Sequence, residues 1–162
     1  MNTVIEVDSN WSMASHGRDL CDNPCDVLHT KQLVRDKIVV MGLNTWLSKG
    51  NIVVGTAKQI YVLTDKILNS RTCTPAYSVQ ELVEELKDYD SEDIYVLGGS
   101  ETINKLWGYL DKVYVTKLDL DCLTDKKFPN LDRLNAWELK EASPRMCGDL
   151  AFSFCVYEQK AS

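Results

Sequence analysis

No apolar run in this 162-residue chain approaches the ~20 residues that span a bilayer. The N-terminal stretch also lacks the pattern of a secretory leader. Neither a membrane partner nor export is therefore expected, and the chain reads as cytoplasmic. Positive charge is not in excess: the net charge is −6, whereas a nucleic-acid partner demands a basic face. Histidine is scarce. His16 and His29 are too few for a histidine-based metal centre, and each reads as a loop or helix-surface residue, so no metal is expected. Of the six cysteines, Cys21 and Cys25 stand four apart with no second cysteine pair or well-placed histidine, which argues against zinc. Without a leader, and with length enough for a real core, Cys21, Cys25, Cys73, Cys122, Cys147 and Cys155 are all predicted to be reduced thiols. Repeats, low-complexity tracts and linkers are missing too. One domain over residues 1–162, working as a monomer, is the expectation.

What is present is a series of buried strands alternating with helices. "NTVIEVDS" predicts a first strand. "NPCDVLHTKQLVRD" predicts a helix, with Asn23 as N-cap, Pro24 at the first helical position, and Val27, Thr30 and Val34 on one face. "KIVVMG" reads as a fully buried strand, "LNTWLSKG" as a short helix and "QIYVLTD" as another buried strand. In "SVQELVEELKDY", Ser78 and Glu81 form a capping box before the stripe Val79, Leu82, Val83 and Leu86. "DIYVLGG" and "KVYVTKLD" are strands separated by a helix from Glu101 to Leu110, and "AWELKEAS" through "AFSFCVYEQ" predicts a closing antiparallel pair. The fold class is α/β: a mixed, mostly parallel central sheet flanked by helices, with a C-terminal antiparallel hairpin.

Ligands of such sheets bind at the carboxyl ends of the strands, and two strand–glycine–helix turns fall there. One strand ends at Gly42 before Leu43, Asn44 and Thr45; another ends at Leu97 before Gly98-Gly99 and Ser100, Glu101 and Thr102. Each has a packing reading, a tight turn that only glycine permits, and a binding reading, in which bare backbone lets a phosphate approach a helix start. Neither is a G-x-G-x-x-G fingerprint or a P-loop. Asp26, in the first turn of its helix, likewise has two readings. It complements the helix dipole, worth ~0.3–1 kcal/mol, or it is a half-buried carboxylate that hydrogen-bonds a polar ring.

In "KIVVMGLNTWLS" the chain resembles the Met-Gly-x-x-Thr-Trp segment of dihydrofolate reductases, and in "IYVLGGSETI" their strand-Gly-Gly-helix segment, whose glycines are joined by a cis peptide. Asp26 precedes Met41 by the fifteen residues typical of bacterial members, Thr116 in "VYVTKLD" stands where the family has a threonine bonded to that carboxylate, and "KKFP" and "FSFCVYEQ" also fit. The resemblance covers essentially the whole chain. It implies hydride transfer from NADPH, with NADH as an alternative, to dihydrofolate, and with it a place in tetrahydrofolate supply and the status of an antifolate target. It further implies that Asp26 and Thr116 are the catalytic pair. Ile5, Glu6, Val27, Thr30, Lys58 and Leu97 would line the substrate site. Gly42, Leu43, Asn44, Thr45, Thr64, Asp65, Lys66, Gly98, Gly99, Ser100, Glu101 and Thr102 would hold the cofactor.

The departures from the family cluster in these positions. The loop "MASHGRDLC" keeps Gly17 but not the Leu-Pro-Trp end, whose tryptophan helps hold water beside the carboxylate. Glu6 stands where a small residue is usual, or marks a one-residue slip against Ile5 and Val7. Thr30 replaces an aromatic residue. Lys58 takes the place of an arginine that clamps the substrate's α-carboxylate, keeping the charge but losing the bidentate fork. Leu43, Thr64, Asp65 and Glu101 occupy positions that usually meet the cofactor's 2′-phosphate, with Lys66 the only nearby cation. Two further readings stay open: a reductase-fold protein that binds without turnover, and a reductase of another pterin-like or pyrimidine ring.

Overall fold

The structure, a computed structural model, describes residues 1–14, 20–122 and 124–161. Short β-branched and aromatic runs form the strands, and helices fill the segments between them. In chain order these are β1 (Asn2–Val7), α1 (Pro24–Val34), β2 (Ile38–Gly42), α2 (Leu43–Lys49), β3 (Gln59–Leu63), β4 (Thr74–Ala76), α3 (Val79–Leu86), β5 (Ile94–Val96), α4 (Ser100–Lys105), β6 (Lys112–Leu118), β7 (Trp137–Cys147) and β8 (Leu150–Gln159). The strands make one mixed sheet in the order β4-β3-β2-β5-β1-β6-β8-β7. This is the α/β architecture the strand and helix pattern predicts. Among the described residues, no helix is long and apolar enough to cross a membrane.

The chain groups into two compact units that share β1 and α1. The first holds Met1–Thr3 and His29–Leu110. In it β4, β3, β2, β5 and the start of β1 pair in parallel. Every residue of β2 is buried, as befits a parallel strand covered on both faces, and this is why its sequence does not alternate. The Ser78 hydroxyl caps α3 by accepting the Glu81 N–H at 3.0 Å. Glu81 reaches back to the Tyr77 N–H at 2.9 Å, one residue beyond the reciprocal partner a capping box predicts. Leu82 and Leu86 are the buried part of the α3 stripe.

The second unit holds Val4–Leu28 and Asp111–Ser162. β8 pairs antiparallel with both β6 and β7. Trp11 adopts φ 60°, unusual for a bulky residue, and is held there by its ring contacts. It stacks on Phe128 at 6.4 Å and meets Tyr157 edge-on at 5.8 Å, with the Lys117 ammonium 4.9 Å from its ring. Lys117 donates to Asp132 and to the Tyr157 hydroxyl, both at 3.0 Å, and Tyr157 donates to Asp132 at 2.8 Å. Burial, followed by the Asp132 carboxylate, pushes the Tyr157 phenol well up. Asp8 is 0% exposed. Its Oδ1 accepts the N–H groups of Asn10 at 2.9 Å and Ser12 at 2.8 Å, and its Oδ2 accepts the Cys122 N–H at 2.8 Å. Burial alone would raise this carboxyl, but the donors of Cys122, Ser12 and Asn10 outweigh it and hold the group below the ordinary carboxylate value.

The structure corrects several expectations. Cys25 and Cys147 form a disulfide with a Cα–Cα distance of 6.1 Å, while the other four cysteines keep their thiols. The two lie 122 residues apart, so no local spacing could announce the pair. In the chain-entropy account, a cross-link closing so long a loop contributes about 5 kcal/mol. Strand β4 is an addition: it is three residues long and contains Pro75, which sits at the sheet edge where a missing N–H is tolerated. α1 stops at Val34 rather than Asp36, because Asp36 turns to φ 58°. Of the expected face only Val34 is buried, and Val27 is 41% exposed. α4 ends at Lys105, and a short 3₁₀ turn, Trp107–Tyr109, replaces its expected last turn.

Asp8→Asn should cost about 2–3 kcal/mol at neutral pH, because an amide cannot accept at both ends and leaves a buried N–H unpaired. A carboxylate with a depressed folded pKa contributes stability above its unfolded value, about 3.9, and loses it as pH falls through the folded value. Urea melts of the two proteins should therefore converge below about pH 4. Identical melts at pH 7, or a gap insensitive to acid, would contradict this account of Asp8.

Candidate active site

The carboxylate singled out from the sequence is built by two elements of the second unit. Pro24 opens α1 where its lack of an N–H is harmless, and Asn23 caps the helix. The Asn23 side-chain oxygen accepts the Asp26 N–H at 3.2 Å, and its backbone oxygen accepts from Asp26 at 3.1 Å and Val27 at 3.3 Å. Asp26 thus stands at the third helical position, half-buried. From β6, Thr116, 1% exposed, donates its hydroxyl to Asp26 Oδ1 at 2.5 Å. The predicted pair is brought together across a sequence separation of 90 residues. A carboxylate has about four lone-pair positions, so one hydroxyl donor leaves Asp26 able to accept more. Asn23 is a residue that sequence reasoning took only as a cap. It is 5% exposed, and its buried Nδ2 has no partner among the described protein atoms. Its place just before Pro24, as a polar N-cap, was its only sequence signal.

The second cluster lies in the first unit. Because β2, β3 and β5 run parallel, Gly42, Thr64 and Gly98-Gly99 all leave the sheet at the same edge. The Gly42 N–H donates to Gly98 O at 2.8 Å and ties two of the turns together. The peptide between Gly98 and Gly99 is cis, and Gly98 has φ 120°, a conformation suited to glycine. A β-carbon on Gly42 would meet the Thr102 hydroxyl at 2.5 Å, so this glycine is required by packing on α4. A β-carbon on Gly99 would meet only the Thr45 hydroxyl, at 3.6 Å, an ordinary contact. Apart from its two chain neighbours, the protein leaves room for a side chain at Gly99, which is exposed.

The remaining predicted cofactor residues surround these turns. Leu43, Asn44 and Thr45 open α2, and Ser100, Glu101 and Thr102 open α4, with Thr102 buried. Thr64 is buried, with its hydroxyl accepting the Lys66 N–H at 3.1 Å, while Asp65 and Lys66 are exposed. Glu101 is paired with Lys105 at 3.5 Å on the surface of α4.

The substrate residues are more scattered. Ile5 is buried on β1, whereas Glu6, its neighbour, is half-buried on the opposite face, as strand alternation demands. Val27 is exposed, Thr30 and Leu97 are half-buried, and Lys58 is exposed at the entry to β3 with its ammonium 5.8 Å from the Tyr89 ring. His16 and Gly17, from the loop expected to cover the site, lie outside the described residues. An open hollow of about 570 Å³ over β6, β8 and β7, lined by Lys117, Arg145, Met146 and Phe152, contains none of the predicted residues. No group of three or more metal-ligating side chains occurs among the described residues.

Comparison with known proteins bears on these two clusters. The dihydrofolate reductase family profile matches residues 1–159. A dihydrofolate reductase of Bacillus subtilis (strain 168) is 25% identical over 142 residues, 86% of this chain and 82% of that one. The type 9 dihydrofolate reductase of Escherichia coli is 22% identical over 151 residues, 89% of this chain and 84% of the other. In fold, the chain is similar to the dihydrofolate reductase from Enterococcus faecalis solved with NADP(H) and RAB-propyl. The TM-score is 0.84 at 20% identity, covering 99% of this chain and 96% of that one. With a profile match over nearly its whole length and the same fold, the chain belongs to the dihydrofolate reductase family.

Proposed function

We propose that the protein reduces 7,8-dihydrofolate to tetrahydrofolate with a reduced nicotinamide cofactor, NADPH or NADH. The observation that carries this reading is the half-buried Asp26 carboxylate, oriented by the Thr116 hydroxyl at 2.5 Å and left with acceptor capacity. Asp26 holds the 2-amino group and ring N3 of the pterin, and its negative charge favours a proton at N5, delivered through ordered water. Thr116 fixes the carboxylate's rotamer. The Gly98-Gly99 backbone and the start of α4 hold the cofactor pyrophosphate, and Thr64 and Lys66 are the polar groups for the adenosine side. The cofactor, when bound, supplies the hydride. What the chain supplies is positioning and electrostatics.

A second reading, a reductase of another pterin-like or pyrimidine ring, is favoured by Lys58. The clamp position carries an exposed ammonium lying over Tyr89 rather than a planar fork. Its substrate would lack the α-carboxylate.

Asp26→Asn should leave the fold intact and lower hydride transfer at neutral pH by roughly a hundredfold or more, since an amide cannot stabilise a protonated ring. The measure is loss of reduced-cofactor absorbance with dihydrofolate and, in parallel, with a pterin lacking the glutamate tail. Wild-type turnover by the variant would reduce Asp26 to a helix-start residue. Tailless pterin turned over as well as dihydrofolate would favour the second reading.

Discrimination between NADPH and NADH should be weak, within about tenfold or ~1.4 kcal/mol. Leu43 offers no charge, Glu101 is engaged by Lys105 and Asp65 is an exposed carboxylate, so among the predicted cofactor residues Lys66 is the one cation available to a 2′-phosphate. A thousandfold preference for NADPH in kcat/KM would show that another cation serves the phosphate.

Gly99→Ala tests the cradle directly. Apart from its two chain neighbours, the methyl group meets nothing closer than 3.6 Å in the protein, so a loss of binding in a variant whose urea melt is unchanged reports on the ligand. NADH and NADPH affinities, read by fluorescence quenching, should weaken together by about tenfold or more, since both carry the pyrophosphate. An unchanged Kd in the folded variant would remove the dinucleotide from this turn.

A further inference from the structure

The first turn of α1 carries Cys25 and Asp26 side by side, and burial does little to hold it. Val34, at the far end of the helix, is its only buried residue. Val27 and Leu28, beside the carboxylate, are 41% and 57% exposed. A helix is ordinarily fastened by its apolar stripe; here the N-terminal turn has none. Two bonds fasten it to the strands of its own unit instead: the Thr116 hydroxyl on Asp26, and the disulfide from Cys25 to Cys147 at the end of β7.

We propose that Cys25–Cys147 is a thiol–disulfide exchange site whose reductant is a dithiol, and that its redox state sets how firmly the first turn of α1 holds Asp26. Both cysteines are half-exposed. Cys147 adjoins the exposed Gly148–Asp149 turn, next to Met146 at 63% exposure, so a thiolate can approach from solvent. Cys73 and Cys155 are buried and out of reach. Burial, with the carboxylates of Asp8, Asp121 and Glu6, pushes the Cys122 thiol up, which keeps it protonated and a poor attacker from within. In the exchange, one thiolate of the dithiol attacks a sulfur of the pair. The S–S bond breaks, a mixed disulfide forms, and the other cysteine leaves as a thiolate and takes up a proton. The second thiol of the reductant then displaces the mixed disulfide. Two electrons and two protons pass to Cys25 and Cys147, and the reductant departs as its own disulfide. Once opened, the turn keeps its Asn23 cap and one hydroxyl bond, and an exposed helix end so weakly tied opens readily.

The test treats the native protein with dithiothreitol, alkylates it with iodoacetamide, and maps the sites by mass spectrometry alongside amide hydrogen exchange. Cys25 and Cys147 should be labelled while Cys73 and Cys155 stay protected. Exchange at the Asp26 and Val27 amides should rise about tenfold, with α3 unchanged. Cys147→Ser should show the same exchange without reductant and no further change with it. Three results would overturn the proposal: Cys25 and Cys147 already alkylated in the untreated protein, labelling that appears only together with Cys73 and Cys155, or α1 exchange that is the same in both redox states. Any accompanying fall in dihydrofolate turnover rests on the reading of Asp26 given above. The labelling and exchange do not, so failure of one reading is distinguishable from failure of the other.

Discussion

Parallel pairing is the constraint on which the first unit depends. Four neighbouring strands, β3, β2, β5 and the start of β1, run in one direction, so every connection out of them leaves from the same edge and must return by a crossover. That places the turns after β2, β3 and β5 beside one another, whatever their sequences. The Gly42 N–H on Gly98 O then locks two of them at 2.8 Å. The glycines divide the labour: Gly42 has no side chain because Thr102 occupies the space, and Gly99 has none although space is available.

The second unit is organised by aspartates with very different environments. Asp8 is closed within three backbone N–H donors and serves as a knot between the end of β1 and the segment around Cys122. Asp132 accepts from Lys117 and Tyr157, both of which also contact the Trp11 ring. Asp26 receives a single side-chain donor and remains half-exposed. Each lone pair of a carboxylate that accepts an N–H or O–H group contributes stability, and those left over can accept from another group. Asp26 has the fewest such donors of the three, and a disulfide stands at the preceding residue.

Departures from the family pattern fall both in the segment before the Asp26 helix and on β1, and at the positions of Lys58, Asp65 and Glu101. Lys58 stands where the family has an arginine, and Asp65 and Glu101 where it has uncharged or basic side chains. The reacting ring's carboxylate and its threonine are retained.

Much of this was legible in the chain itself. The runs "KIVVMG", "QIYVLTD" and "DIYVLGG" are too apolar for anything but buried strands, the 3.6-residue stripe of "SVQELVEELKDY" determines α3, and Pro24 after Asn23 marks where α1 begins. These are local properties, set by propensity and periodicity within a few residues. The motifs around Gly42, Gly98-Gly99 and Asp26 were readable for the same reason. What remained hidden is non-local. The packing need at Gly42 arises from Thr102 on another element. The exposure of Val27 depends on what else covers α1, and β4 exists only because a three-residue edge segment finds β3 to pair with. The disulfide is the clearest case: Cys25 and Cys147 carry no signal in their spacing, and only the folding of α1 and β7 into the same unit brings their Cα atoms to 6.1 Å. Local sequence determined the elements and the chemistry of individual residues. The tertiary structure decided which of those residues meet, because contacts across 90 or 122 residues depend on the whole path of the chain between them.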